Sequence, residues 1–491
     1  MPQDVREWLP PDHLCWKVLE VVDHLDLSEF VDSYRDDGQG RAAYPPQALI
    51  ALLLYCYSKG IRSSRKIEQA CFDDVGCRII TANRRVDHST LARFVRRHRE
   101  ALKLLFVQVL AMCSRQQGLL DLAAVAVDGS PMEANASRAS NQRLQRLDRV
   151  ISECEAEIDT MVAGDLQPDG AEDADSDVVR NEWPRFSRLL DRLNRAAAAR
   201  QKLFERALPS AGEIRLKVEA AERMVARAEK RLNAESEAHR KKLEKYAERT
   251  RADLVAGLRG ANGRPPVPME HKTVLVRQRK RLVNAQAWLE RARSPRPDPS
   301  STAQASLSDP DSRMMLCKRG GFVQGYNIQI ACARRQLLLA IEVQDNPSDM
   351  TALVPMVNKT QVNCLGAGIE QPIQLWLADS GYASTSAFEA LADFPLLVSV
   401  TSEAHQAGFE AKREGPRGGQ HEMAARLATP LGKEQYRQRG ALVEPGFAQL
   451  FQRFGRRLNY RGHDGVDTEI KLLGAVHNLS KLFDHKARPR S

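Results

Sequence analysis

Leu122-Ala123-Ala124-Val125-Ala126-Val127 runs directly into Asp128-Gly129-Ser130-Pro131. The first six residues are apolar and partly β-branched, and turn-forming residues follow. This reads as a short buried strand that delivers Asp128 to its C-terminal end. Downstream, Ile373-Gln374-Leu375-Trp376-Leu377-Ala378 meets Asp379-Ser380-Gly381-Tyr382 in the same way. A strand is held rigidly by its sheet while its last side chain reaches an open edge, so both positions suit a metal-binding carboxylate. A lone aspartate there is more often a turn or cap residue. Two in one chain, with a later candidate glutamate, favour chemistry. Three acids can hold two Mg²⁺ ions between them, and two such ions about 4 Å apart serve the attacking and leaving oxygens of phosphoryl transfer.

Around these aspartates the pattern is that of an α/β protein. Tyr326-Asn327-Ile328-Gln329-Ile330-Ala331 alternates polar and apolar residues as a strand does. Strands are also expected at 337–343, 373–378 and 396–400, a loop and helix at 346–357 and a helix at 386–391. Residues 138–295 break this order, being rich in Arg, Glu, Ala, Leu and Lys. They read as an inserted helical hairpin or coiled-coil arm, with long helices at 215–251 and 272–293, a Gly/Pro break at 257–268 and a loose acidic stretch at 165–177. Residues 294–311 read as a linker, and 405–420 as a polar intervening stretch.

The N-terminal part is expected to be a small helical domain. A buried helix spans 45–60, Ser63 and Ser64 can cap a second through about residue 71, and Asp87 or Ser89 can cap a third over 90–115. On that third helix Leu91, Phe94, Val95, Leu102 and Leu105 form the apolar stripe. Arg93, Arg96, Arg97, Arg99 and Lys103 lie largely off it. They serve equally well as a face for DNA phosphates and as an ordinary solvated face. From residue 435 onward the chain is helical and basic, with Arg453, Arg456, Arg457 and Arg461 crowded together.

Lys plus Arg number 73 against 63 Asp plus Glu, a formal net charge of +10, which favours a polyanionic partner. An aromatic content of 6% argues against a single-strand binder built on stacking platforms. Residues 1–11 carry no secretory h-region, and the longest apolar run, 48–57, is too short to span a bilayer, so a cytoplasmic protein with no membrane partner is expected. The nine cysteines include no C-x-x-C pair, so they are read as reduced core thiols rather than zinc ligands.

The motifs together resemble one family. The segment Val125 through Ser137 (VAVDGSPMEANAS) is similar to the first-aspartate motif of bacterial insertion-sequence DDE transposases of the IS4/IS5-like superfamily, IS1182 group. Gly320-Gly321-Phe322-Val323-Gln324-Gly325-Tyr326-Asn327 resembles that group's second-strand motif and Leu377-Ala378-Asp379-Ser380-Gly381-Tyr382 its second-aspartate motif. Val443-Glu444-Pro445-Gly446-Phe447 resembles the third-acid motif, and His477-Asn478-Leu479 the closing helix. Residues 44–113, with Ser63-Ser64-Arg65-Lys66-Ile67-Glu68, resemble the helical domain before the catalytic core. Each motif is short; five in the right order are specific.

The resemblance implies an RNase H-like mixed sheet with flanking helices, whose metal-binding catalytic acids are Asp128, Asp379 and Glu444, and a cofactor of two Mg²⁺ or Mn²⁺ ions. It implies cleavage of transposon inverted-repeat DNA and strand transfer to target DNA, by a homodimer on the DNA. Expected domains are 1–118 (N-terminal, DNA-binding), 119–137 (first strand of the core), 138–312 (helical insertion and linker) and 313–485 (rest of the core). Tyr436, Arg439, Arg453, Arg456 and Arg457 join Arg93, Arg96 and Arg97 as expected DNA contacts, a structural salt bridge being the alternative for Arg439. The family's Tyr-Arg-Glu-Lys signature is incomplete, since Phe451 stands seven residues after Glu444 where a Lys is usual. Hence the alternative of a catalytically decayed or repurposed DNA-binding protein. Glu444 also reads as a helix N-terminal residue before Pro445, and Glu434 and Glu469 are rival acids. Tyr326 and Asn327 are placed at the border of the site, core packing being an equal alternative for Tyr326. His463 and His477 are read as structural or DNA-adjacent.

Overall fold

A mixed sheet carries both aspartates. In the computed structural model, residues 4–32, 44–165, 176–208, 211–257, 265–294, 299–317, 320–344, 346–400 and 418–487 are described. The chain divides into two compact units, residues 1–142 with 305–491 and residues 143–304.

The sheet belongs to the first unit. Strand β1 (Val125–Glu133) pairs antiparallel with β5 (Phe322–Ala333) along its whole length, from Val125 opposite Ala333 to Glu133 opposite Gly325. The far edge of β5 is shared by β4 (Arg313–Leu316) and β6 (Leu338–Gln344), both antiparallel to it. On the other side of β1, β7 (Trp376–Ala378) runs parallel, and β8 (Leu396–Val398) runs parallel to β7. The path across the sheet is therefore β6-β5-β1-β7-β8, with β4 beside β5. A separate two-stranded ribbon joins β2 (Asn141–Arg143) to β3 (Gln304–Ser306).

One expectation is corrected here. β1 does not end at Val127: it continues through Asp128, Gly129, Ser130 and Pro131 to Glu133. The long partner β5 overrides the local turn chemistry, and Pro131 is tolerated because of its edge. The Glu133 N–H donates to Arg456 O on the side away from β5 (2.7 Å). Pro131, two residues earlier, therefore aims its missing N–H at that same edge, where β7 pairs only with Val125 and Ala126.

The N-terminal helices are α1 (Leu14–Asp23), α2 (Ser28–Val31), α3 (Pro46–Ser58), α4 (Ser64–Asp73), α5 (Val75–Ile80), α6 (His88–Arg97) and α7 (Arg99–Ser114). Every residue of α3 from Leu49 to Tyr57 is buried, as a helix apolar on all sides requires. Asp87 does cap α6, accepting from the amides of Ser89 and Thr90. Ser63 occupies the cap position of α4 without a side-chain cap bond. The helix expected over 90–115 is two helices, broken at His98 (φ −110°, ψ 32°), whose ring packs on Phe94 and Phe30. Arg99 and Lys103 are not open to DNA: both pair with Asp464, and Lys103 also with Glu100 and Asp467.

The remaining helices of the first unit are α12 (Leu353–Gly366), between β6 and β7, α13 (Thr385–Ala390), between β7 and β8, and, after β8, α14 (Gly418–Ala428), α15 (Pro430–Phe454) and α16 (His463–Lys486). α15 begins at Pro430, where the Thr429 hydroxyl accepts from the Gly432 amide (2.9 Å). Glu444 and Pro445 therefore sit inside a helix, not at its start. The carbonyl that Pro445 leaves unbonded is that of Ala441, at an exposed position that water can serve. α16 is buried along most of its length. Its Asn478 side chain exchanges two hydrogen bonds with the Leu338 backbone (3.0 and 2.8 Å) and so covers the edge of β6.

Of the expected linker, residues 305–311 belong to the first unit. Ser306 and Asp309 are buried, and Asp309 accepts from the Tyr326 hydroxyl (2.7 Å) and the Gly462 amide (3.1 Å). Tyr326 is thereby a core residue. The second unit contains α8 (Leu144–Asp165), α9 (Ser176–Ala207), α10 (Ala211–Val255, 45 residues) and α11 (Thr273–Arg293). Ion pairs Arg185–Glu157 and Arg200–Asp148 run α8 and α9 antiparallel, and Arg293–Glu222 ties α11 to α10. The insertion thus holds two helix pairs where one hairpin was expected. Residues 166–175, 258–264, 295–298 and 401–417, which include most of the acidic and polar stretches and the Gly/Pro break, lie outside the described residues.

Candidate active site

The register of β1 and β7 brings two acids together. Val125 lies opposite Trp376 and Ala126 opposite Leu377. Asp128 and Asp379 are each two residues beyond that last pair, so their side chains leave the same face of the sheet. Among the described residues, no strand pairs with the β1 edge past Ala126 until Glu133, which exchanges hydrogen bonds with Arg456 and Leu458 (both 2.7 Å). Asp128 sits in this notch, 6% exposed. Its Oδ1 accepts from the Gly129 amide (2.9 Å) and its Oδ2 lies 3.7 Å from Arg439 Nη1. Asp379 begins the short 3-10 turn Ser380–Tyr382, with Oδ1 accepting from the Gly381 amide (2.8 Å).

α15 covers this face. A Cβ on Gly446 would stand 3.3 Å from Cys332 Sγ and 3.5 Å from Ile330, the β5 partners of Ala126 and Asp128. Glycine there lets the helix lie close to the sheet. Ten and seven residues earlier, Tyr436 and Arg439 project from the same helix. Tyr436 hydrogen-bonds Ser399 and Arg439; burial pushes its hydroxyl pKa up, with the Arg439 charge opposing. Arg439 Nη1 is buried with no hydrogen-bond partner, turned toward Asp128.

The third expected acid stands apart. Glu444 is exposed, and its carboxylate reaches back toward Gly440 on its own helix. It lies about 100° round the helix from the buried Val443. Among the described residues, the only three His, Cys, Asp or Glu ligand atoms within 4.8 Å of one another are those of Glu68, Asp87 and His88. Asp128, Asp379 and Glu444 form no such trio. Of the rivals, Glu469 is fully buried and bound by Arg62 (2.7 Å) and the amides of Asn459 and Tyr460, a structural role. Glu434 is exposed on α15.

Behind the notch lies a polar network that sequence reading missed. Asp349 Oδ1 accepts from Asn327 Nδ2 and Gln329 Nε2, both at 2.7 Å. The Tyr382 hydroxyl donates to Gln329 Oε1. Burial, and then the charges of Asp349, Asp128 and Asp379, raise the Tyr382 pKa well above its usual value, so this hydroxyl stays protonated beside three carboxylates. The available signal was Asn327 and Gln329 alternating on a strand whose other residues are apolar; buried amides demand a partner.

The expected DNA contacts are dispersed. Arg93, Arg96 and Arg97 are exposed on α6, off its buried stripe. Arg453 donates to the Ser480 hydroxyl. Phe451 stacks on Phe447 (5.5 Å between ring centroids) and carries the Arg456 guanidinium 3.9 Å above its ring. Arg457 has an exposed side chain, while its carbonyl accepts from Arg62 (2.8 Å). His477 is buried against the Gln336 carbonyl (2.7 Å), and burial pushes its pKa down to about 4. His463 is exposed, with its amide bound to Asp311 (2.9 Å). All nine cysteines are unpaired, and eight are buried, in keeping with core thiols.

Comparison with known families gives two matches. A transposase domain family (DUF772) matches residues 3–97, which reach the end of α6, and a transposase DDE domain matches residues 401–483. The second includes Tyr436, Arg439 and Glu444; Asp128 and Asp379 fall outside both. Together they support the resemblance to insertion-sequence DDE transposases. The IS1182 group fits the first of the two matches. No curated protein and no solved structure matches the chain. A DDE domain implies a general dependence on divalent metal and a partnership with transposon DNA. No described helix is long and apolar enough to cross a membrane.

Proposed function

We propose that this transposase cleaves inverted-repeat ends and transfers the strands to target DNA by two-metal phosphoryl transfer, with Asp128, Asp379 and Glu444 as its acids. The observation that carries the reading is the register that sends Asp128 and Asp379 out of one sheet face at the open notch of β1. The strand order β6-β5-β1-β7-β8, with β1, β7 and β8 parallel, supports an RNase H-like core. In this reading residues 1–118 bind DNA, 119–137 and 313–485 make the core, 138–312 are an insertion, and a homodimer holds the two ends.

The residues fit a hard divalent cation. Asp128 and Asp379 each accept a backbone amide on one oxygen, which fixes the carboxylate, and carboxylate oxygens are the donors such a cation prefers. Bound there, Mg²⁺ or Mn²⁺ supplies Lewis-acid polarisation of the scissile phosphate and activation of the attacking oxygen. Arg439 faces Asp128 and offers its buried Nη1, which has no hydrogen-bond partner among the described residues, to a phosphate oxygen. Tyr436 orients Arg439. Glu444 lies on the same helix, one turn beyond Gly440, and is the acid that bound DNA draws in. Arg93, Arg96, Arg97, Arg453, Arg456 and Arg457 supply phosphate contacts by charge.

The test is nicking of labelled terminal-repeat duplex by the purified full chain, in Mg²⁺ or Mn²⁺ and with EDTA. Asp128→Asn and Asp379→Asn are expected to abolish nicking while DNA binding survives. Normal nicking by both variants would overturn the assignment. A second reading, a DNA-binding protein without catalysis, draws on Phe451 at the usual Lys position and on the separation of Glu444 from the two aspartates. It predicts binding without metal-dependent cleavage.

A further inference from the structure

The two aspartate motifs share a feature that their acids do not explain. Each has a glycine just past its acid, Gly129 after Asp128 and Gly381 after Asp379. Neither has a positive φ, so backbone strain does not require glycine. Packing does at Gly129: a Cβ there would stand 2.2 Å from Gln329 Nε2, 2.5 Å from Asp349 Oδ1 and 3.0 Å from Asn327 Oδ1. A Cβ on Gly381 would stand 3.0 Å from Asp379 Oδ1 and, at 3.5 Å, in ordinary contact with Cβ and Oδ2 of Asp349. The Asp349 side chain thus lies beside both glycines.

We infer that Asp349 is a positioning residue that clasps the backbone beside Asp128 to the turn carrying Asp379, and so fixes the spacing of the two acids. The inference rests on the catalytic reading of those acids. Alternation puts Gly129, Asn327 and Gln329 on the sheet face opposite the Asp128 side chain. Asp349 is held on that face by two amide donors, at 2.7 Å each, to a single carboxylate oxygen. It is therefore a support behind the site and not a third metal ligand. Tyr382 closes the clasp from the Asp379 turn by donating to Gln329. Partners of this kind orient ligating carboxylates, and their loss weakens metal binding.

Two readouts on the full chain test this: Mn²⁺ affinity, from the free-ion spin-resonance signal, and nicking of terminal-repeat duplex. Asp349→Ala is expected to weaken Mn²⁺ binding by about tenfold to a hundredfold and to slow nicking in parallel at subsaturating metal. Asp349→Asn keeps an oxygen that accepts both amide bonds, and should stay close to the parent on both readouts. Asn327→Asp faces one acceptor with another and should resemble Asp349→Ala even if the latter folds poorly. Parental Mn²⁺ affinity and nicking in both Asp349→Ala and Asn327→Asp would overturn the inference, as would an Asp349→Asn as weak as Asp349→Ala. A parent that binds Mn²⁺ without nicking would instead defeat the transposition chemistry, leaving the clasp to be judged on affinity. A parent that binds no Mn²⁺ would overturn both.

Discussion

Arg439 Nη1 and Asp128 Oδ2 face each other at 3.7 Å, too far for a hydrogen bond and close enough for strong attraction in a buried notch. The guanidinium is held in reserve for another oxygen. Arg439→Ala should slow cleavage on the order of a hundredfold at saturating DNA. Arg439→Lys should recover only part of this, since an ammonium lacks the planar fork. Single-turnover rates at saturating duplex check it. A defect confined to DNA affinity would reduce Arg439 to a simple phosphate contact.

Arg456 and Phe451 give a second prediction. The ring supports the guanidinium at 3.9 Å where a lysine is usual in the family signature. Arg456→Ala should lower DNA affinity and reduce the slope of log affinity against log salt by about one. Phe451→Ala should mimic it by removing the platform. Salt titrations of binding by both variants decide the matter; an unchanged slope for Arg456→Ala would exclude that contact.

The buried pair Arg62–Glu469 is a stability device. Arg62 donates to Glu469 (2.7 Å) and to the carbonyls of Phe454 (2.5 Å) and Arg457 (2.8 Å), closing the C-terminal end of α15. Glu469 in turn holds the amides of Asn459 and Tyr460. Arg62→Ala should cost about 3–5 kcal/mol, because it strands a buried carboxylate. Denaturant midpoints measure this. A loss typical of an exposed pair would contradict the buried geometry.

His477 makes folding sensitive to acid. Burial lowers its pKa from 6.5 to about 4. Between those values the unfolded chain takes up a proton that the folded chain does not. The contribution is therefore present above the unfolded value and is lost as pH falls through the folded one, about 3 kcal/mol in all. His477→Gln can still donate to the Gln336 carbonyl and should flatten the fall in unfolding free energy from near-neutral pH to about 4. Equal slopes for parent and variant would remove His477 as the cause.

The strand-forming segments were legible because alternation and apolar runs report a buried sheet directly, and both aspartates stood at the ends of such runs. The length of β1 was not legible. Gly129-Ser130-Pro131 carries turn chemistry, and only the remote partner β5, about 200 residues away, turns it into strand. Pro445 misled for the same reason: its local meaning is a helix start, while Thr429 caps a helix that begins at Pro430, fifteen residues earlier. Asp349 was invisible because nothing in Asn346-Pro347-Ser348-Asp349 differs from an ordinary loop. Its role depends on two amides from β5 and on its place beside Gly129 and Gly381. Arg62 was hidden too, since its acid lies 407 residues downstream.

The ribbon of β2 and β3 has an architectural consequence. The chain leaves for residues 143–304 on one strand and returns on the neighbouring one, about 5 Å away. A tight turn could bridge that gap. Residues 143–304 can accordingly be removed without rethreading the sheet. A shortened chain joined from Gln142 to Gln304 is the natural way to ask what this appendage does.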